Sequence, residues 1–263
     1  MPESLPFQGS ALALSTDGLA TAGHVLGVHA PEIWTVLAVE TSGCGFLPDR
    51  RPQILYERHI FHRLTQGRFD DGDVSDPTPG GYGPRGAQQY DRLAKAIEKD
   101  RSAALQSASW GIGQIMGENY LLAGFKDVEQ MVTAIPQSED DQVAAMATFL
   151  INSRLHIPLQ AHDWPSFARG YNGPNYLINR YDVRLASEFQ KYSTGAVPDI
   201  NVRAAQLYLT YLNLHPGPID GVAGVQTLAA FAQFASQNDF QSTGVLDAAC
   251  TAKLRNALPS FSA

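Results

Sequence analysis

The stretch Ser193-Thr194-Gly195-Ala196-Val197-Pro198-Asp199 constrains this chain more than any other feature. It places small and polar residues, a glycine and a proline between two segments with helical apolar spacing, 176–192 and 202–209, so no single apolar pattern crosses it. The chain is therefore expected to divide into two units, 1–195 and 196–263, the first of ordinary domain size and the second small. With 263 residues, 44% of them hydrophobic and 17% charged, both units have the makings of folded globular domains rather than disordered tails.

In the first unit, Pro31 suits a first helical turn and Ile33, Leu37 and Glu40 recur at helical spacing, which predicts a helix over 31–40 that ends near Ser42-Gly43. Pro48-Asp49-Arg50-Arg51-Pro52 reads as a turn leading into Gln53–Glu57, a short strand or hairpin. Residues 76–86 carry three prolines and four glycines and form a loop. Helical spacing resumes at 88–99, with Tyr90, Leu93, Ala94 and Ile97 on one face, and again at 140–154 and 176–192. The expected fold class is mainly α (α+β) with a small β-hairpin.

Charge narrows the function classes. A net charge of -7 and the lack of any Lys/Arg run argue against electrostatic binding of nucleic acid. No apolar run approaches a membrane span, which predicts no membrane insertion, and residues 1–30 lack the basic and apolar regions of a cleavable export signal. The two cysteines, Cys44 and Cys250, are too far apart in sequence to form the disulfide framework of a small secreted scaffold.

Glu40 is the acidic residue on the apolar stripe of its predicted helix and lies in the last turn. The partial negative charge of a helix C-terminus and desolvation by apolar neighbours both favour its protonated form, as a general acid requires. Spacing alone leaves an ordinary solvated helix end equally open. Glu40-Thr41-Ser42-Gly43, then Gly111-Ile112-Gly113-Gln114-Ile115-Met116, then Gly170-Tyr171-Asn172-Gly173 resemble, in that order, the signature segments of lysozyme-like soluble lytic transglycosylases. Gly173-Pro174 departs from that group's corner. The longer run from Glu40 to Phe61, ETSGCGFLPDRRPQILYERHIF, resembles the hallmark of the N-acetylmuramidase family of phage endolysins and wall-degrading toxins.

That resemblance implies a lysozyme-like fold, cleavage of the β-1,4 bond between N-acetylmuramic acid and N-acetylglucosamine, and Glu40 as catalytic acid. Glycoside hydrolysis usually takes a second carboxylate. Glu57, at the end of the short strand, leads, with Asp49 in the turn as the alternative; ion pairing of Glu57 with a nearby base is the structural reading. Gln114 is a candidate substrate ligand or the edge of a tight packing segment. Tyr171 and Asn172 are candidates for sugar stacking and hydrogen bonding. His59 and His62 lack a third ligand and read as structural, with no metal, and Cys44 reads as a small buried side chain rather than a nucleophile.

In the second unit, helical patterns at 202–209, 226–234 and 248–258 are joined by the loop 217–224 and by Ser242-Thr243-Gly244. Ile219-Asp220-Gly221-Val222-Ala223-Gly224-Val225-Gln226-Thr227 resembles the hallmark of the three-helix peptidoglycan-binding domain. Phe234-Ala235 departs from that family's usual Phe-Gln. Together the resemblances make bacterial peptidoglycan the partner of a monomer with no cofactor. They imply a chain made in the cytoplasm that reaches the periplasmic wall by phage-type or secretion-system delivery, with delivery machinery or an immunity protein as further partners. Hydrolase, lytic transglycosylase and noncatalytic wall-binding protein are the readings to be separated.

Overall fold

The computed structural model of the chain describes residues 5–41, 44–238, 240 and 244–260. Its helices are α1 (Thr16–Leu26), α2 (Ala30–Thr41), α3 (Arg58–Thr65), α4 (Gln88–Ile97), α5 (Arg101–Gln106), α6 (Val128–Ala134), α7 (Glu139–Asn152), α8 (His156–Gln160), α9 (Trp164–Asn172) and α10 (Tyr181–Thr194), followed by α11 (Ile200–Tyr211), α12 (Val225–Gln237) and α13 (Ala248–Asn256). A small antiparallel sheet, in order β1 (Ile54–Tyr56), β2 (Ala108–Trp110) and β3 (Ile115–Met116), completes the α+β architecture. Ile54 pairs with Trp110, Tyr56 with Ala108 and Ser109 with Met116.

α2 is the central helix. Ile33, Trp34, Val36, Leu37 and Val39 are all buried, because α10 packs along one side and α1 along another. At its start Glu32, in the third helical position, accepts from the His29 backbone N–H at 3.1 Å, covering an amide that would otherwise be unpaired. Trp34 is 2% exposed, so truncating it to alanine should cost about 3–5 kcal/mol. α1 packs on α7, and Ser15 caps it by accepting from Gly18 N–H at 2.9 Å.

Several elements differ in detail from the sequence expectation. The helix expected from 176 begins at Tyr181, because residues 174–180 turn and Arg180 takes a left-handed φ of 52°. On α4 the buried stripe is Gln89, Tyr90, Leu93 and Ala96, while Ala94 faces solvent. Gln89 is drawn inward because its amide fastens the 76–86 loop, donating to Tyr82 and Pro84 carbonyls and accepting from Tyr56 N–H. The expected stop at Ser42-Gly43 and the Ser242-Thr243 lead into the last helix lie outside the described residues.

α11, α12 and α13 enclose a second core around Leu207, Leu209, Phe231, Phe234 and Leu254. That core is not closed by the three helices alone. Ala11, Ala13, Cys44 and Phe46 from the N-terminal part of the chain are buried in it, and Tyr208 and Tyr211 bond the Ala13 amide and the Ala11 carbonyl.

Candidate active site

Glu40 occupies the last turn of α2, with part of its surface still open to solvent. Asn172, in the last turn of α9, donates from Nδ2 to Glu40 Oε1 at 3.0 Å. Arg184 of α10 donates to the Val39 carbonyl at 2.9 Å, which brings its charge near the same carboxyl. Burial outweighs both partners and raises the Glu40 pKa to about 7; the Asn172 bond and Arg184 pull in the other direction. The partial negative charge of a helix C-terminus adds to the cost of a negative charge there.

Glu57 follows β1 directly and occupies the N-cap position of α3, with its side chain making no capping bond. Its side chain is 16% exposed, and burial raises its pKa to about 7 against a hydrogen bond from Tyr82. His59 Nδ1 stands 3.2 Å from Glu57 Oε2, outside hydrogen-bonding geometry. Burial, then Arg63, lower the His59 pKa, so at neutral pH the ring offers no full charge to hold Glu57. The hydroxyls of Tyr82 and Tyr181 are within electrostatic reach of each other, and Tyr181 in turn feels Glu40. Glu57 is thus coupled to Tyr82, Tyr82 to Tyr181, and Tyr181 to Glu40.

The remaining candidates part company. Asp49 does not join this group: its carboxylate is held by Arg51 at 2.7 and 3.0 Å and accepts the Arg51 amide, so it closes its own turn, while Arg51 lies over the Tyr90 ring at 4.1 Å. Gln114 has a left-handed φ of 47° and spends its amide internally, accepting from Ser109 at 2.8 Å and donating to the Gly111 carbonyl at 2.8 Å. It is a strut of the 111–114 turn, its amide nitrogen also donating to the Gln53 carbonyl at 3.3 Å. Tyr171 donates to the Gly113 carbonyl, and its ring stacks on Phe167 at 5.4 Å, so the hydroxyl and that ring face are already occupied. Asn172 is brought to Glu40, although through the acid and not through an observed sugar contact.

His59 and His62 turn to different carboxylates, His62 pairing with Asp70 at 2.8 Å, so they do not converge on a metal. The Cys44 thiol donates to the Phe46 carbonyl, and burial followed by nearby Glu139 pushes its pKa up to about 12. It is no nucleophile at neutral pH. In the second unit Gln206 is the hub of the 217–224 loop, accepting from the Asp220 and Gly221 amides and donating to Asp220, Val222 and Thr227. Asp220 and Thr227 thus tie the loop down.

Sequence reasoning missed Tyr82, Tyr181 and Arg184. Tyr82 had one available signal, a large aromatic in a loop otherwise made of glycine and proline. It also missed the support beneath the site. Glu139 and Gln142, three apart on α7, hold the backbones of two motif segments through Gly45 N–H at 2.9 Å and Ile112 N–H at 2.7 Å. A β-carbon on Gly45 would stand 1.9 Å from Gln142 Oε1, which is why that position is glycine.

The sequence model of the family described as N-acetylmuramidase matches residues 29–193, and that described as "Putative peptidoglycan binding domain" matches residues 199–254. Among solved structures, the crystal structure of a Burkholderia AP3 phage endolysin is similar at 36% identity, covering 72% of this chain and 72% of its own, with a TM-score of 0.63. No curated protein matches the chain.

Proposed function

The chain belongs to the N-acetylmuramidase family, glycoside hydrolases acting on peptidoglycan, and from that premise we propose that it cleaves the β-1,4 bond between N-acetylmuramic acid and N-acetylglucosamine with Glu40 as general acid. The observation that carries the reading is the pair of largely enclosed carboxyls, Glu40 and Glu57, each with a pKa near 7 and each at the end of a different helix. Burial brings the two to the same range, and the helix ends then separate them. Glu40 sits at a C-terminus, which resists its negative charge; Glu57 sits at an N-terminus, which favours one. Glu40 is thus the proton donor to the departing glycosidic oxygen, and Glu57 the carboxylate that faces the developing oxocarbenium ion or its attacking water.

Asn172 orients the Glu40 carboxyl through a single bond and leaves its other oxygen free for the substrate. Tyr82 and Tyr181 supply aromatic surface and hydroxyls along the region between the carboxyls, suited to the face and edge of a pyranose. The peptidoglycan-binding domain keeps the catalytic domain on its polymeric substrate. In the same reading the enzyme meets the wall after phage-type release, because the solved structure it resembles is that of a phage endolysin, and secretion-system delivery is the alternative route.

The test is mass spectrometry of fragments released from purified peptidoglycan by the wild type and by Glu40→Gln and Glu57→Gln. Reducing muropeptides from the wild type, reduced about 10³-fold or more in the Glu40 variant, are expected. Anhydro products would replace the hydrolase reading with a transglycosylase. Undiminished release by Glu40→Gln would remove Glu40 as the acid, and absence of any cleavage by the wild type would leave a binding protein.

A further inference from the structure

Arg203 belongs to α11 of the wall-binding domain and is 1% exposed, yet its guanidinium reaches out of that domain. It forks onto Glu139 of α7, Nη1 donating to Oε2 at 2.5 Å and Nη2 to Oε1 at 2.8 Å. Glu139 is fully buried, and the same two oxygens each take one backbone amide: Oε2 accepts from Leu14 N–H at 2.8 Å, and Oε1 from Gly45 N–H at 2.9 Å. Gly45 lies just beyond the helix end that carries Glu40. Arg203 also lies over the Trp34 ring, 5.6 Å from its centroid, and Trp34 is part of α2 itself.

We propose that Arg203 is a positioning residue for Glu40, so that the wall-binding domain supports the active site from behind as well as anchoring the enzyme. This rests on Glu40 being the acid. The physical case is that a buried carboxylate holds its orientation only as long as its lone pairs are matched. The planar Arg203 fork matches two of them and thereby aims the other directions at Gly45 and Leu14. Gly45 sits where a β-carbon would run into Gln142, and Cys44 and Phe46 on either side of it are buried in the core shared with α11. A flexible tether would raise local concentration alone. This seam, with its buried ion pair and shared core, instead links α11 to the Gly45 backbone through Glu139 and to α2 itself through the Trp34 ring.

The experiment uses the full chain with Arg203→Met and has two readouts. Hydrogen exchange is followed at Gly45 and in the last turn of α2, with α4 as internal reference; cleavage is followed on a soluble, unlinked glycan tetrasaccharide and on whole sacculi. Positioning predicts exchange faster by about tenfold at Gly45 and the α2 end over the reference. It also predicts a fall in kcat of about tenfold on the tetrasaccharide, with KM within about twofold, since small displacements of a catalytic group are costly in rate. Loss confined to sacculi, or unchanged exchange at Gly45, would overturn it. A second variant, Glu139→Leu with Arg203→Met, removes both charges and restores melting temperature lost to an unpaired buried ion. A kcat that stays low in this variant supports positioning, and one that returns to wild type assigns the pair to stability alone. The exchange readout decides the question even if the wild type cleaves no glycan, an outcome that would count against the muramidase reading instead.

Discussion

Two glutamates largely withdrawn from solvent, Glu139 at the domain seam and Glu40 at the end of α2, are treated in opposite ways. Glu139 meets four donors on its two oxygens, two from Arg203 and one each from Leu14 and Gly45. Among the described residues Glu40 meets one, from Asn172, and burial lifts its pKa to about 7. Burial is common to both, so burial alone does not make an acid. What differs is how many partners compensate the charge: full compensation turns a carboxylate into a structural clamp, and deliberate under-compensation leaves a proton to give away.

The same contrast extends to their neighbours. Around the active site Glu57 Oε2, His59 Nδ1 and Asn172 Oδ1 are buried without a hydrogen-bond partner among the described residues. Unpaired polar groups of this kind cost stability, and their concentration beside two carboxyls with raised pKa marks a place where stability has been given up for chemistry. At the seam the Glu139 carboxylate is matched on both oxygens, although the Trp34 ring nitrogen beside it finds no partner among the described residues.

The largest effect expected from this comparison is on rate. Glu40→Gln should lower kcat by about 10³-fold, roughly 4 kcal/mol, with the fold intact, because no part of the packing depends on the charge. Next comes Glu139→Ala, which strands Arg203 in the core and should cost about 3–5 kcal/mol in denaturant unfolding. If the two variants exchanged phenotypes, with Glu40→Gln unfolding the chain and Glu139→Ala leaving it stable, the division between acid and clamp would be wrong.

A smaller effect is expected in stability against pH. The Glu40 carboxyl binds its proton more tightly in the folded chain, about 7, than in an unfolded one, near 4.5. Between these values the native state holds more protons, so the contribution of this group falls as pH rises from about 4.5 to 7 and stays low above. Glu40→Gln removes that penalty and should make the protein more stable than wild type at pH 8 by about 1–2 kcal/mol, and by little at pH 4. Equal stabilities at both pH values would show that the carboxyl carries no such burden.

How far this contrast could be read beforehand depended on the range of each interaction. The helix bearing Glu40 and the short strand before Glu57 are written in local spacing, and so are the three helices of the second unit. The run from Glu40 to Phe61 pointed to the family, and the matching family models and the phage endolysin structure agree with it. Glu139 was invisible for a physical reason. At the start of a helix after Ser138 it reads as an ordinary acidic first-turn residue, and its four hydrogen bonds come from three distant positions, 14, 45 and 203. Gln114 and Tyr171 present the opposite case: their motifs were legible, and what the sequence did not show is that these motifs hold each other, Tyr171 donating to Gly113 beside Gln114. Asp49 was drawn to Arg51, two residues away, a pairing that proximity in sequence allows but does not dictate.

The finest test of the comparison is Asn172→Ala, which takes away the one hydrogen bond that Glu40 has among the described residues. That bond favours the ionised carboxylate, so its loss lets Glu40 keep its proton to higher pH. Since the protonated form is the working one, the alkaline limb of kcat/KM should move upward by about half a unit to one unit. The peak should fall by no more than about tenfold, the cost of a less well-oriented acid. Stability should hardly change, because the substitution also deletes Asn172 Oδ1, a buried acceptor with no partner among the described residues. The direction of the limb is what discriminates. A downward shift would mean that Asn172 stabilises the protonated form of Glu40, with its amide turned to accept the acid's own proton. Glu40 would then be compensated as an acid in its resting state rather than left short of partners. The difference from Glu139 would lie in which form of the carboxyl is being matched, and no longer in how many groups match it.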